Sequence, residues 1–370
     1  MKRLLFSLVV SCALVRAVRA ADVPTLPLGA AAPEFDLPGV DGRHWALKDF
    51  ATSKILVVIF TCVHCPTAQY YEERIKRLVA DYQGKGVAFV AISPNDPRSV
   101  RLDELGYTDL SDTFEEMKIR AKYKEFNFPF LYDGDTEAVA RAYGPVATPH
   151  VFIFDAARKL RFNGRIDDSE RVQFVKTQDT RNALDALLAG QELTVTQTKV
   201  VGCSVKWSGK AENVQAYLNK LAAEPVTVEK VDADGLRALR KNDSGKVRLV
   251  GFWATWCAPC VAEFSEFVTM NRMYRHRDFE MVMVALNRPD EEKDVLGFLK
   301  KQQASNRNLL FASPDRDKLI DAFDPSWAGP VPFTVLIGPD GKELYREVGS
   351  VDTLALKRAI VKALNELKPW

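Results

Sequence analysis

Six cysteines stand in the chain, and four of them form two C-x-x-C pairs, Cys62-Val63-His64-Cys65 and Cys257-Ala258-Pro259-Cys260. Each pair follows an apolar run and opens a helical pattern. There the first cysteine meets unsatisfied backbone N–H groups and the positive end of the helix dipole, which favour its thiolate. The second lies about one helical turn on, within reach of a mixed disulfide formed by the first. Four residues thus supply both a nucleophile and a resolving thiol. A shared structural zinc site is disfavoured, because Cys62 and Cys257 are 195 residues apart and ribbon-type sites bring their pairs much closer in sequence. A purely structural disulfide over so tight a loop constrains little of the unfolded chain.

The elements that would hold these pairs recur in one order. In the first copy an apolar strand at 55–60 precedes the cysteines, a helix follows at 67–82, and a buried strand at 86–93. A helix at 114–126, the dipeptide Thr148-Pro149, strands at 150–155 and 159–166 and a helix at 177–188 complete it. The second copy runs strand 247–254, a helix from the cysteines to about 275, strand 279–286 and helix 291–303. Val331-Pro332, strands at 333–337 and 343–348 and a helix at 353–367 close it. The second cysteine and the later proline are 84 residues apart in one copy and 72 in the other. Strands alternating with helices imply βαβ crossovers and a mostly parallel sheet between helical layers, with a hairpin adding antiparallel strands.

The 370 residues allow two domains. Hydrophobic residues make up 47% and charged residues 27%, as in ordinary folded proteins, and a net charge of +2 gives none of the basic field that nucleic-acid binding needs. Residues 1–20 read as a secretory signal peptide: Lys2 and Arg3, an apolar run at 4–15 too short to span a bilayer, then Val18-Arg19-Ala20. Val9-Val10-Ser11-Cys12 offers a second exit, a lipid anchor on Cys12. Cleavage after Ala20 removes four cations and no acid, leaving 47 basic against 49 acidic residues and five cysteines. No transmembrane span is expected beyond it. An exported, periplasmic or extracytoplasmic location follows, where disulfides persist.

Phe252-Trp253-Ala254-Thr255-Trp256-Cys257-Ala258-Pro259-Cys260, with Val331-Pro332-Phe333-Thr334, resembles the thioredoxin superfamily and most of all its exported TlpA/ResA-type branch. The resemblance implies that Cys257 attacks, that Cys260 resolves, that Pro332 is a cis-proline beside the pair, and that Glu263 relays a proton from Cys260. Thioredoxin carries a buried aspartate where this chain has Gly251, which raises the weight on Glu263. The first copy is similar to the redoxin (AhpC/TSA-type) branch through Ala32-Pro33-Glu34-Phe35-Asp36-Leu37 and Leu47-Lys48-Asp49-Phe50. Ile55 and Ile59 replace the proline and threonine of the peroxidase motif, which counts against peroxide chemistry. Cys62-Val63-His64-Cys65-Pro66, Thr148-Pro149, Gly164-Arg165-Ile166-Asp167-Asp168 and Gly202-Cys203-Ser204-Val205-Lys206-Trp207 resemble a little-studied bacterial family of exported redoxin-like proteins. Two thioredoxin-like three-layer α/β domains in tandem are therefore expected, each a mixed central sheet flanked by helices. The divisions are a signal peptide at 1–20, a flexible leader at 21–32, a redoxin-like domain at 33–207, a connecting helix at 208–224 and a TlpA-like domain at 225–370.

His64, between Cys62 and Cys65, is expected to lower the pKa of Cys62 and so make that pair the more oxidising of the two. The bland alternative is that it only contacts the partner. Cys203 is the odd thiol: an inert buried residue, a partner of the first pair or of the second domain, or an intermolecular bridge. His150, directly after Pro149, with Cys62 and Cys65 would form a copper-type set. The reading that results is a thiol–disulfide oxidoreductase acting on protein thiols and disulfides, with Pro149 and Pro332 leaving a backbone edge for extended substrate. No organic cofactor is required, and electrons come from a membrane or periplasmic donor. A copper chaperone and a thiol peroxidase are the competing readings.

Overall fold

A computed structural model of the protein describes residues 23–368. The signal peptide and Cys12 lie outside them. Among the described residues, no helix is long and apolar enough to cross a membrane.

The first half is organised by the strand Ile55–Phe60, whose six residues are all buried. An unbroken apolar run rich in β-branched residues suits a strand covered on both faces. Its alternate side chains divide accordingly. Ile55, Val57 and Ile59 pack with Ile75, Leu78 and Tyr82 of the helix Pro66–Tyr82. Leu56, Val58 and Phe60 face Phe35, Phe50 and Tyr143 on the other side. The sheet order is Phe130–Tyr132, Val87–Ser93, Ile55–Phe60, His150–Phe154, Leu160–Gly164. The first three strands are parallel and the last two antiparallel. The small hairpin Asp36–Pro38 with His44–Ala46 lies over the outer strand, where the Val40 N–H donates to Phe130 O, so that this edge is not left open.

The second half repeats the plan around Val247–Trp253, with Leu249 in one apolar cluster and Val250 and Phe252 in the other. Its six strands run Glu229–Val231, Arg307–Phe311, Phe279–Ala285, Val247–Trp253, Phe333–Ile337, Glu343–Val348. The first four are parallel, and the closing hairpin is antiparallel. Both halves are three-layer α/β sandwiches with a mixed sheet.

Several elements go beyond the sequence reading. The structure adds the helices Ala138–Tyr143, Ala233–Lys241 and Arg316–Phe323 and the strands at 229–231 and 307–311. All are short, so none carries enough periodic positions to stand out. The helix from Phe114 stops at Tyr123, because Glu125 adopts a positive φ of 51°. The leader expected to be flexible is bonded along the first half: Leu26 N–H to Tyr143 O, Gly29 N–H to Leu160 O and Ala32 N–H to Arg158 O.

The two halves meet through the segment 100–109. Val100 and Leu105 belong to the second half's apolar cluster. The Tyr274 hydroxyl donates to Thr108 O at 2.9 Å, and Arg358 Nε donates to Asp109 at 3.0 Å. The helix Ala211–Ala222 connects the halves.

Candidate functional site

Both cysteine pairs stand where a central strand gives way to a helix, at the carboxyl edge of the sheet where α/β folds place their sites. The two junctions differ in register. In the second half Cys257 caps the helix Ala258–Tyr274, and its sulfur accepts the Cys260 N–H at 3.3 Å. In the first half the helix begins three residues later in the motif. Cys65, not Cys62, is the cap, with Pro66 at the first helical position and the Ala68 N–H donating to Cys65 Sγ at 3.4 Å. Cys257 and Cys260 are joined as a disulfide, whereas Cys62, Cys65 and Cys203 are free thiols.

The two thiols of the first pair are shifted in opposite directions. Burial pushes the Cys62 thiol well up, and its contact with Cys65 and the nearby Asp112 charge push the same way. Burial also acts against Cys65, but hydrogen bonds from Cys203, Cys62 and the Ala68 N–H, with the charge of His64, outweigh it and hold Cys65 well below the ordinary thiol value. The expectation that His64 lowers Cys62 is thus corrected. The imidazole turns Nδ1 to Asp112 Oδ2 at 2.5 Å, and its charge is felt by Cys65.

Asp112 is a residue that sequence reasoning missed. It is fully buried, and it accepts from the backbone N–H groups of Val63 and His64 at 2.8 and 2.9 Å and from Asn95 Nδ2 at 2.7 Å. One carboxylate therefore fixes the loop between the two cysteines. Burial works to raise it, but the His64 charge and these donors hold it below the ordinary carboxylate value. Burial likewise works against the His64 charge, and Asp112 more than offsets it, so His64 is raised. Nothing local marks Asp112 in the sequence, since it lies 48 residues from His64.

The Val331–Pro332 bond is cis, as the resemblance implied, and the Thr148–Pro149 bond is cis as well. Thr148 touches both sulfurs of the first pair: its hydroxyl lies 3.2 Å from Cys62 Sγ, and its carbonyl oxygen lies 3.6 Å from Cys65 Sγ. Cys203 packs against Cys62, Cys65 and Ala68, so the odd thiol lies at the first site. The copper-type set is not assembled. His150 accepts the Val146 N–H on Nδ1, packs tilted against Phe152 at 4.4 Å between ring centroids, and is pulled down to about 3 by burial. Among the described residues, the group whose donor atoms do lie within 4.8 Å of one another is Cys62, His64 and Asp112. That is an ion pair beside a protonated thiol rather than a soft-metal cradle.

In the second site Trp256 is exposed beside the disulfide, and Arg316 lies over its ring. Glu263 is half-buried, and its carboxylate accepts the Val351 N–H at 3.1 Å. Burial pushes the carboxyl up. At Gly251 the place of a side chain is filled by the end of Met283, whose Sδ would lie 2.8 Å from a Cβ.

The AhpC/TSA family model matches residues 28–163, and the Redoxin family model matches residues 225–364. The chain is 32% identical over 139 residues to "Thiol-disulfide oxidoreductase ResA" of Bacillus subtilis, covering 37% of this chain and 70% of that protein. It is 28% identical over 178 residues to "Thiol:disulfide interchange protein HelX" of Rhodobacter capsulatus, covering 48% and 77%. A crystal structure of a hypothetical protein from Sinorhizobium meliloti aligns with 34% identity and a TM-score of 0.44 over 50% of this chain and 97% of that one.

Proposed function

The chain belongs to the thioredoxin superfamily as a tandem redoxin protein of the oxidoreductase class, and from that premise we propose that it exchanges disulfides with protein substrates at two separate C-x-x-C sites outside the cytoplasm. The observation that carries this reading is that each pair has a cysteine capping a helix, with a backbone N–H aimed at its sulfur. A thiolate so held is the attacking species in exchange.

At the second site Cys257 attacks one sulfur of a client disulfide, and the other client sulfur leaves and takes up a proton. Cys260 then gives its proton to Glu263 and attacks Cys257. The Cys257–Cys260 bond forms as the mixed disulfide breaks. At the first site the ionised sulfur is Cys65, while Cys62 keeps its proton until it resolves. The redox cofactor is the cysteine pair itself, and a membrane or periplasmic dithiol restores it. Domain limits of 33–207 and 225–370 are proposed with it.

The test is insulin-disulfide reduction by the full chain, by Cys62→Ser/Cys65→Ser and by Cys257→Ser/Cys260→Ser. Each double variant should keep part of the activity, and the quadruple variant none. Turnover by the quadruple variant would refute the reading.

A further inference from the structure

The backbone edge beside Pro149, expected to receive an extended client, is already taken by the chain itself. Thr148 pairs with Cys203 and Ala147 with Ser204 in an antiparallel ladder. Gly202 allows this approach, since a Cβ there would stand 2.1 Å from Thr148 O. Downstream, the Lys206 N–H donates to Asn95 Oδ1 at 2.9 Å, Lys206 O accepts the Asp96 N–H at 2.9 Å, and the Lys206 ammonium pairs with Glu104. The segment is therefore pinned on both sides, and Asn95 ties it to the Asp112 that holds the cysteine loop. In the second half, among the described residues, no strand pairs with Val331.

The pinned strand delivers a sulfur. Cys203 shares a cluster with Cys62, Cys65 and Ala68, and its sulfur receives the Thr67 N–H from the first turn of the helix that Cys65 caps. Cys62 and Cys65 are 3% and 0% exposed. Cys203 is the more open thiol, and on either side of it Val146 and Val201 expose apolar surface.

We propose that Cys203 is a third redox thiol, which carries disulfide equivalents between the buried Cys62–Cys65 pair and a client dithiol at the surface. The proposal rests on the exchange reading of the first site. Cys203 attacks Cys65 Sγ, the Cys62–Cys65 bond breaks as the Cys65–Cys203 bond forms, and the departing Cys62 sulfur takes the proton that Cys203 loses. A client thiolate then attacks Cys203, and Cys65 leaves as the thiolate that its surroundings already stabilise. The client's second thiol closes the client disulfide and returns Cys203 as a thiol. Two electrons pass from client to protein, and each step reverses for a client disulfide. Cys65 is the shared sulfur throughout, which fits its place between the other two.

The experiment uses the full chain carrying Cys257→Ala and Cys260→Ala, equilibrated in glutathione buffer, acid-quenched and mapped as peptides without reduction. Adding Cys62→Ser should trap a Cys65–Cys203 cross-link as the main product, and Gly202→Ala, which forces the strand off Thr148, should lose that cross-link. Adding Cys203→Ser should leave the Cys62–Cys65 disulfide intact but slow its transfer to a reduced dithiol peptide at least tenfold. Transfer at the undiminished rate in Cys203→Ser overturns the relay whatever cross-link forms, and leaves exchange at the first site standing. Failure of the parent to form Cys62–Cys65 or to transfer at all removes the exchange reading of that site, and the relay with it.

Discussion

His64 Nδ1 and Asp112 Oδ2 lie 2.5 Å apart with both side chains buried, and the same carboxylate receives two backbone N–H groups of the cysteine loop. Removing the carboxylate leaves a buried imidazole and three donors without a partner. Asp112→Ala should therefore cost about 3–5 kcal/mol, read as a shift in the urea midpoint. A loss under about 1 kcal/mol would contradict this account of the loop.

The pair also sets a pH dependence. His64 is raised above its ordinary 6.5, so the stability from its charge is complete below that value and is lost as pH rises through the raised one. Asp112 is lowered below its ordinary 3.8, so its contribution is complete above that value and is lost as pH falls through the lowered one. The two overlap between roughly pH 4 and 6.5. Melting temperatures compared at pH 5.5 and 8.5 should show a drop in the wild type that is smaller in His64→Gln. Equal drops in both proteins would show that the imidazole is not charged in the folded state.

Cys65 should be seen as a thiolate by its absorbance near 240 nm, with a midpoint well below the roughly 8.5 of a free thiol. Burial raises it, and the donors that overcome burial are Cys203, Cys62, the Ala68 N–H and the His64 charge. Cys203→Ala and His64→Gln should each move the midpoint upward in the chain lacking Cys257 and Cys260. The backbone donor cannot be deleted, so the Ala68 N–H keeps its lowering effect in both variants. A midpoint unmoved by both would remove the side chains from the explanation.

The placement of the two pairs was legible from local order alone, because a strand running into C-x-x-C and a helix is a contiguous pattern. The register was not. Whether the first or second cysteine caps the helix depends on where the chain turns, and in the first half Asp112 holds Val63 and His64 out of the helix from 48 residues away. Cys203 was equally opaque. Its ladder with Thr148 joins two-residue strands 55 positions apart, and so short a strand has no periodicity to read. Gly202 and Thr148 stood inside recognisable motifs, yet their closeness appears only once the sheet edge is built. His150 misled for the converse reason, since adjacency to Pro149 says nothing about which way a strand residue faces.

A thiolate favoured by its surroundings stabilises the reduced form, and so makes the corresponding disulfide the better oxidant. The first pair has this support at Cys65 from two thiols, an amide and an imidazolium. The second has the Cys260 N–H on Cys257. The Cys62–Cys65 couple should therefore titrate at the higher potential, with about 30 mV for each 1.4 kcal/mol of difference. Glutathione titrations of the two double cysteine variants, followed by thiol labelling, compare them directly, and the reverse order would sink the assignment.

The base role proposed for Glu263 at the second site rests on a carboxyl that half-burial raises and the Val351 N–H holds in place. A carboxyl so raised accepts a proton nearer neutral pH than a free one, which suits it to take the proton of the resolving thiol. Gly251 leaves no rival acid on the strand, and Met283 fills the space there. In the chain lacking Cys62 and Cys65, Glu263→Gln should lower the rate of insulin reduction on the order of 10²-fold, the lower end for a lost general base. The amide oxygen still accepts the Val351 N–H, so the melting temperature should hardly change. The variant's rate should recover as pH rises and solvent hydroxide takes over deprotonation of Cys260, moving the rising limb of the pH profile upward. A purely structural role would lower the rate equally at every pH, or lower the melting temperature with it.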